Sequence, residues 1–263
     1  MNFHGNTALV TGASSGLGVA FAEALAARGA NVVLVARSTG PMTALAERLR
    51  ATHGIRADVI TQDLSVPGAA EAVRAETDRL GLRIDLLVNN AGFASAGRFD
   101  QMDPERAQRE IALDVSTVVG LTHAYLPGMA ERRHGGVLNV ASISAFQPTP
   151  YMSVYGAAKS FVLSFGNALW EEYRGLGVRV TTLAPGPVAT KFFDVVGTDA
   201  AQVGTKLPPE KVVEVALRGL EKNRPVVVPG LQNALLPFVN RFSPRRLVLA
   251  IAARSLRAAA VAA

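Results

Sequence analysis

Thr7-Ala-Leu-Val-Thr11-Gly12-Ala-Ser-Ser-Gly16-Leu-Gly18-Val-Ala-Phe-Ala-Glu-Ala-Leu-Ala-Ala-Arg28 carries the reading that decides the fold. Its first five residues are a short apolar run, as expected of a buried parallel strand. Residues 19–28 are rich in helix formers, and Gly29 supplies a stop. Between strand and helix stands a loop of Gly12, Ser14, Ser15, Gly16, Leu17 and Gly18. Glycines permit a tight turn and let backbone N–H groups approach a phosphate. The helix N-terminus adds a positive partial charge. The spacing Gly-x-x-x-Gly-x-Gly differs from the commoner dinucleotide fingerprint. In this setting it predicts nucleotide binding; the plain alternative is an ordinary strand–helix turn.

The same alternation continues along the chain. Asn31-Val-Val-Leu-Val-Ala-Arg37 reads as a second strand. A cofactor with a free ribose 2′-hydroxyl wants Asp or Glu at that strand's end. Here the end is Ala36-Arg37, and the planar fork of Arg37 suits a 2′-phosphate. The expectation is NADP(H) over NAD(H), against the alternative of a solvated surface Arg. Residues 42–53 read as helix and 56–61 as a third strand, ending in Gln62-Asp63-Leu64-Ser65. Asp63 stands where an adenine amino group could be read, or where it could cap a helix with Ser65 nearby. Residues 67–80 read as helix and 84–88 as a fourth strand, ending in Asn89-Asn90-Ala91-Gly92, a turn suited to close approach of a ligand. Asp103-Pro104 starts a long helix, running to about residue 126 and carrying Asp114.

Gly136-Val-Leu-Asn-Val-Ala141 is the fifth strand, and Ser142 follows at its carboxyl end, where open α/β sheets place ligands. Residues 153–173 then read as a helix bearing Tyr155 and Lys159. Four residues apart, these share one helical face. A phenol beside an ammonium is a usable acid, because the cation lowers a pKa that starts near ~10. Taken alone, Tyr-x-x-x-Lys is more often a core phenol and a surface amine. The sixth strand, 178–183, leads into Ala184-Pro185-Gly186-Pro-Val188-Ala-Thr190. Residues 191–207 lack clear periodicity, as a substrate lid does. A helix over 209–222 and a short strand over 225–228 complete the pattern. The fold class is α/β: a single Rossmann-like, doubly wound parallel sheet of about seven strands with helices on both faces.

The chain has 263 residues, 49% of them hydrophobic and none of them cysteine, which excludes thiolate chemistry and disulfides. No metal site is expected. The net charge of +6 is uneven: residues 1–221 hold 20 basic and 21 acidic side chains, while the remainder holds seven basic and no acidic ones. A neutral body argues against a nucleic-acid partner. The N-terminus runs directly into the first strand without a signal-peptide pattern, so the expected location is cytoplasmic. In residues 231–263, apolar side chains alternate with five Arg, and Ser243-Pro244 marks a break between helices. Such a basic amphipathic segment can cover a pocket, form a subunit interface, or lie on an anionic membrane as a peripheral contact.

Five motifs in this order, each at a strand end, resemble the short-chain dehydrogenase/reductase family: Thr11-Gly-x-x-x-Gly-x-Gly18, Asn89-Asn-Ala-Gly92, Ser142, Tyr155-x-x-x-Lys159 and Pro185-Gly186. The resemblance covers about residues 5–230. Val33-Leu-Val-Ala-Arg37, Ile84-Asp-Leu-Leu-Val-Asn-Asn-Ala-Gly-Phe93 and Ala145-Phe-Gln-Pro148 look like a bacterial subgroup related to hydroxysteroid dehydrogenases and long-chain 3-oxoacyl reductases. It implies a catalytic dinucleotide-binding domain over 1–230, with 231–263 as its helical extension. The implied reaction interconverts a hydrophobic ketone and its secondary alcohol with NADP(H). Tyr155 would be the acid, Lys159 would lower its pKa and hold the nicotinamide ribose, and Ser142 would hold the substrate oxygen. Gly12, Ser14, Ser15, Gly16, Leu17 and Gly18 would line the pyrophosphate and adenosine ribose, and Arg37 the 2′-phosphate. Asp63 and Leu64 would flank adenine, while Asn90, with Ala91 and Gly92, would meet the adenosine ribose. Pro185, Gly186, Val188 and Thr190 would face the nicotinamide. A homodimer or homotetramer is implied by the resemblance alone.

One position departs from the family, which commonly has Asn where this chain has Asp114. An ionised Asp accepts hydrogen bonds but cannot donate them, and it tends to raise the pKa of a nearby phenol. Asp114 then either pairs with Lys159 or relays protons as a neutral acid, or the site is impaired. Expected around the substrate are Phe93, Ala94, Phe146, Pro148, Pro150, Tyr151, Met152, Phe192, Phe193, Val195 and Val196, a lipophilic set. Two rival functions remain: a non-catalytic NADP(H)-binding sensor, and a membrane-surface lipid-binding protein.

Overall fold

The computed structural model describes residues 2–190, 192, 196 and 205–261. The lid expected over 191–207 lies mostly outside the described residues, as do Phe193 and Val195.

Seven strands form one parallel sheet in the order β3-β2-β1-β4-β5-β6-β7. They are β1 Thr7–Thr11, β2 Asn31–Ala36, β3 Ala57–Thr61, β4 Leu86–Asn89, β5 Gly135–Val140, β6 Val178–Leu183 and β7 Val226–Val227. The central strands β1, β2, β4 and β5 are largely apolar and buried because both faces are covered. Alternate residues serve opposite cores. Ala8, Val10, Val32 and Leu34 pack on one face with Phe21, Leu25 and Leu217. Leu9, Val33, Val35 and Leu87 pack on the other with Leu121, Met129 and Leu169. Helices α1 Gly16–Ala26, α2 Thr39–His53 and α7 Pro209–Glu221 cover the first face. Helices α3 Ala69–Arg79, α5 Thr117–Glu131 and α6 Ser153–Tyr173 cover the second.

The strand order reverses between β1 and β4, and there the carboxyl ends of the sheet open a crevice. The register pairs Val10 with Val88, so Thr11-Gly12 and Asn89-Asn90 leave the sheet side by side. Thr11 Oγ1 donates to the Val88 carbonyl at 3.1 Å and accepts the Asn90 and Ala91 amides, each at 2.9 Å. This one hydroxyl joins the two loops that frame the crevice.

The long helix expected from Asp103 is not regular. Helix α4, Pro104–Ile111, gives way to a π turn over Ala112–Ser116 before α5 resumes and runs to Glu131. Asp103 caps α4 as expected, its carboxylate accepting the Glu105 amide at 3.0 Å. The π turn inserts an extra residue per turn, a device that re-aims a side chain and recurs at functional sites. Here it carries Asp114, which is fully buried. The tail forms two helices, α8 Leu231–Phe242 and α9 Arg245–Val261, separated at Ser243-Pro244 as the sequence predicts. Among the described residues no helix is long and apolar enough to cross a membrane.

Candidate active site

Gly12 takes φ +68°, and a Cβ there would stand 2.9 Å from Asn90 Nδ2 and 3.0 Å from Ala91 Cα. Only glycine lets the two loops meet so closely. A Cβ on Gly18 would overlap the Gly12 carbonyl, so the loop lies flat on the first turn of α1. Ser15, at the N-cap of α1, makes no side-chain capping bond. The first amides of this helix therefore point outward with the positive end of its dipole, an arrangement suited to a phosphate.

A cavity of about 540 Å³ runs from this loop across the sheet edge. Every residue expected at the cofactor lines it except Gly18, which serves packing instead. Arg37 and Asp63 mark one end, where Arg109 from α4 joins them, a residue the sequence reading missed. Burial pushes the Asp63 carboxyl up, but the Ser65 hydroxyl and amide and the Arg37 and Arg109 charges outweigh it, leaving it below its usual range. Asp63 Oδ1 accepts from Ser65 N at 2.9 Å and from Ser65 Oγ at 2.7 Å. The helix-cap alternative fails, because α3 begins only at Ala69. Asp63 fixes a local turn whose edge faces the cavity.

At the other end stand Ser142, Tyr155 and Lys159, all lining the cavity and all buried. Lys159 Nζ lies 3.2 Å from Asp114 Oδ2, donates to the Val140 carbonyl at 3.2 Å, and sits 5.6 Å from the centroid of the Tyr155 ring. Asp114 does not line the cavity. It stands behind Lys159, with its other oxygen accepting the Phe93 amide at 3.2 Å. A Cβ on Gly92 would come within 2.7 Å of that carboxylate, so Gly92 is required for the pair to form. Burial lowers the affinity of Lys159 for its proton, but Asp114 and Tyr155 more than restore it. Burial pushes the Asp114 carboxyl upward against the pull of Lys159. Of the alternatives for Asp114, the contact favours the ion pair.

The Tyr155 phenol departs from expectation. Its pKa is raised, chiefly by burial; Lys159 and Ser142 pull it down, while Asp114 and Glu110 push it up. In the protein alone, one ammonium does not offset desolvation.

The substrate end is apolar. Phe93, Met152 and Phe192 line it, and Ala94 and Val196 pack beside Tyr155. The Phe192 and Tyr155 ring centroids lie 5.8 Å apart. Phe146, Pro148 and Pro150 do not line it: they border an adjoining, more open depression, while Ser144, Gln147 and Thr149 of the same segment face the cavity. Two further contributors complete the lining. Ala252, Ser255 and Leu256 of α9 close one side of the cavity. Arg106 lines it and lies 5.0 Å over the Phe93 ring. Pocket cover was one use expected of residues 231–263, whereas no local motif marks Arg106.

Residues 6–201 match the family model described as short chain dehydrogenase. The chain belongs to the short chain dehydrogenase family. Hydroxysteroid dehydrogenase-like protein 1 of Gallus gallus is 36% identical over 192 residues, covering 72% of this chain and 57% of that one. A 7beta-hydroxysteroid dehydrogenase of Collinsella aerofaciens is 33% identical over 228 residues, covering 85% of this chain and 86% of its own length. Among solved structures, a short-chain dehydrogenase from Sphingobium yanoikuyae in complex with NADPH aligns with a TM-score of 0.82 at 33% identity, covering 96% of this chain and 95% of that one. This short chain dehydrogenase thus spans only 57% of the length of the Gallus gallus relative but most of the bacterial ones.

Proposed function

We propose that the protein is an NADP(H)-dependent oxidoreductase that interconverts a hydrophobic ketone and its secondary alcohol. The observation that carries this reading is the meeting, in one cavity, of Ser142, Tyr155 and Lys159 with the glycine loop and Arg37. The absence of a carboxylate at the end of β2 and the exposed guanidinium of Arg37 favour a 2′-phosphate. The NADPH complex of the Sphingobium yanoikuyae relative supports the same choice.

NADPH, when bound, supplies the hydride. The amides at the start of α1 hold the pyrophosphate, and Arg37 takes the 2′-phosphate. Asp63 and Leu64 flank adenine, and Asn90 meets the adenosine ribose. Lys159 holds the nicotinamide ribose, with Pro185, Gly186, Val188 and Thr190 at the nicotinamide end. Ser142 donates a hydrogen bond to the substrate carbonyl oxygen. Tyr155 gives that oxygen its proton in reduction and, as phenolate, takes it back in oxidation. Lys159, anchored by Asp114, favours the phenolate. Phe93, Met152, Phe192 and Leu256 exclude water and select an apolar body; the relative named for hydroxysteroids points toward a sterol-like ring.

Helix α9 covers the substrate end, while the outer face of α8 is assigned to an anionic membrane surface. Its exposed apolar stripe and the lack of acidic residues after Glu221 support this.

NADPH oxidation against steroid, 3-oxoacyl and aromatic ketones tests the reading. Tyr155→Phe is expected to lower turnover by about 10²–10⁴-fold, the usual worth of a general acid, with NADPH affinity kept. Tight NADPH binding by the native chain without turnover on any ketone, or on the matching alcohols with NADP⁺, would favour the sensor instead.

A further inference from the structure

Behind the reacting residues lies a second buried acid that the reaction as described does not use. Glu110, on the last turn of α4, is 0% exposed. It stands four residues before Asp114, across the start of the π turn; both side chains are fully buried, and the charge of Asp114 acts on Glu110. The charged and titratable groups acting on this region are Arg106 on α4 itself, Asp114 in the π turn, and Tyr155 and Lys159 from α6; Ser95 adds a hydroxyl and an amide. Lys159 is bound to Asp114, at 3.2 Å. Arg106 directs its guanidinium to Ser95 Oγ at 3.0 Å and to the Ala94 carbonyl at 3.3 Å. Neither carboxyl oxygen of Glu110 accepts a well-formed hydrogen bond from the described residues.

We propose that Glu110 is a positioning residue for proton transfer: it keeps a proton so that Asp114 alone faces Lys159 as an anion, and its ionisation makes Tyr155 hold its own proton more tightly. The physical ground is charge balance in a buried region. One ammonium offsets one carboxylate; among the described residues a second carboxylate there forms no ion pair, with the Arg106 guanidinium turned to Ser95 and Ala94, and it stays neutral while it can. Burial is the main cause that raises its pKa to about 7, with Asp114 adding to the rise and Ser95 and Arg106 opposing it. Glu110 therefore changes charge in the range where a dehydrogenase works. Below that midpoint the cluster holds one anion; above it, two. The second anion opposes formation of the Tyr155 phenolate, the form needed for alcohol oxidation. Glu110 thereby damps the oxidative direction at alkaline pH. Reduction, which needs the protonated phenol, is spared.

The inference concerns the Tyr155 proton and rests on the reading of Tyr155 as the acid. Its test does not require a substrate. Tyrosinate absorbance of the native chain and of Glu110→Gln is titrated with pH, and subtraction of the matching Tyr155→Phe curves isolates Tyr155. Glu110→Gln keeps shape and removes the charge, so the Tyr155 midpoint is expected to fall by about half a pH unit or more. An unchanged or higher midpoint overturns the proposal. Should the variant fail to fold, the infrared carbonyl band of a neutral carboxylic acid in the native chain serves instead. The band is expected near pH 6 and lost by pH 8, and its absence at pH 6 overturns the proposal equally. Failure of the function alone would leave these signals intact and abolish only turnover.

Discussion

Asp114 and Lys159 share a buried contact at 3.2 Å, and each depends on the other: the anion keeps the ammonium charged, and the ammonium makes the buried anion tolerable. The same anion acts on Tyr155 in the wrong sense for phenolate formation. Asp114→Asn removes that charge and keeps an oxygen for the Phe93 amide. Without the anion the Tyr155 midpoint falls, so the rising limb of alcohol oxidation with NADP⁺ is expected to move to lower pH and the rate near pH 7 to increase. A pH profile of kcat checks it; a drop in rate would mean that Lys159 needs Asp114 more than Tyr155 suffers from it. At this scale the sequence was informative where chemistry demands a residue type. A phenol, an amine and a hydroxyl at strand and helix ends read as a site. Glu110 did not, because a Glu near a helix end is ordinarily solvated, and only burial gives it a role. The sign of the Tyr155 shift was equally hidden. Spacing placed the cation, but the desolvation opposing it depends on what covers the ring.

Helix boundaries followed the sequence closely in α6 and at the Ser243-Pro244 break. The π turn at Ala112–Ser116 did not, since five residues carry no distinct period and the expected helix continues on both sides. Its consequence is specific: it carries Asp114 into a contact that Gly92 alone leaves room for. Helix α9 takes up one of the uses expected of residues 231–263, the covering of a pocket. Val248, Ala252 and Leu256 form its buried face, and Leu256 packs in the cluster that contains Tyr155. A chain ending after Phe242 is therefore expected to keep NADPH binding while KM for a bulky ketone rises about tenfold or more, the worth of a few lost apolar contacts. Initial-rate kinetics with the truncated chain checks this. A fall in kcat with KM unchanged would mean that α9 supports Tyr155 and not the substrate.

Across the whole molecule, charge and apolar surface are partitioned. The body is near neutral, and the basic excess sits in the last forty or so residues. On α8, Leu231, Leu235, Phe238 and Phe242 fall on one side, 81%, 55%, 64% and 81% exposed, with Arg241, Arg245 and Arg246 exposed at its end. Arginines bind lipid phosphates while such a stripe enters the headgroup region, and the attraction is screened by salt. The full chain is expected to co-sediment with phosphatidylserine-containing vesicles at low salt, to be released at high salt, and to ignore phosphatidylcholine vesicles. Charge reversal at the three arginines should abolish the binding. Failure of the native chain to co-sediment at low salt would remove membrane contact and leave a subunit interface as the use of this face.

The sequence by itself determined the doubly wound sheet, the glycine loop, the preference for Arg37 over a carboxylate, and the Ser142, Tyr155 and Lys159 set. The sheet, the loop and the choice at Arg37 follow from local period, turn chemistry and residue type, which need no neighbours to be read; the Ser142, Tyr155 and Lys159 set follows from the resemblance carried by five motifs in order. Only the tertiary structure decided that Asp114 pairs with Lys159, that Glu110 is buried beside them, that Phe146, Pro148 and Pro150 do not line the cavity, and that α9 closes it. Those facts are set by desolvation and by contacts between residues far apart in the chain, and neither exists until the chain is packed.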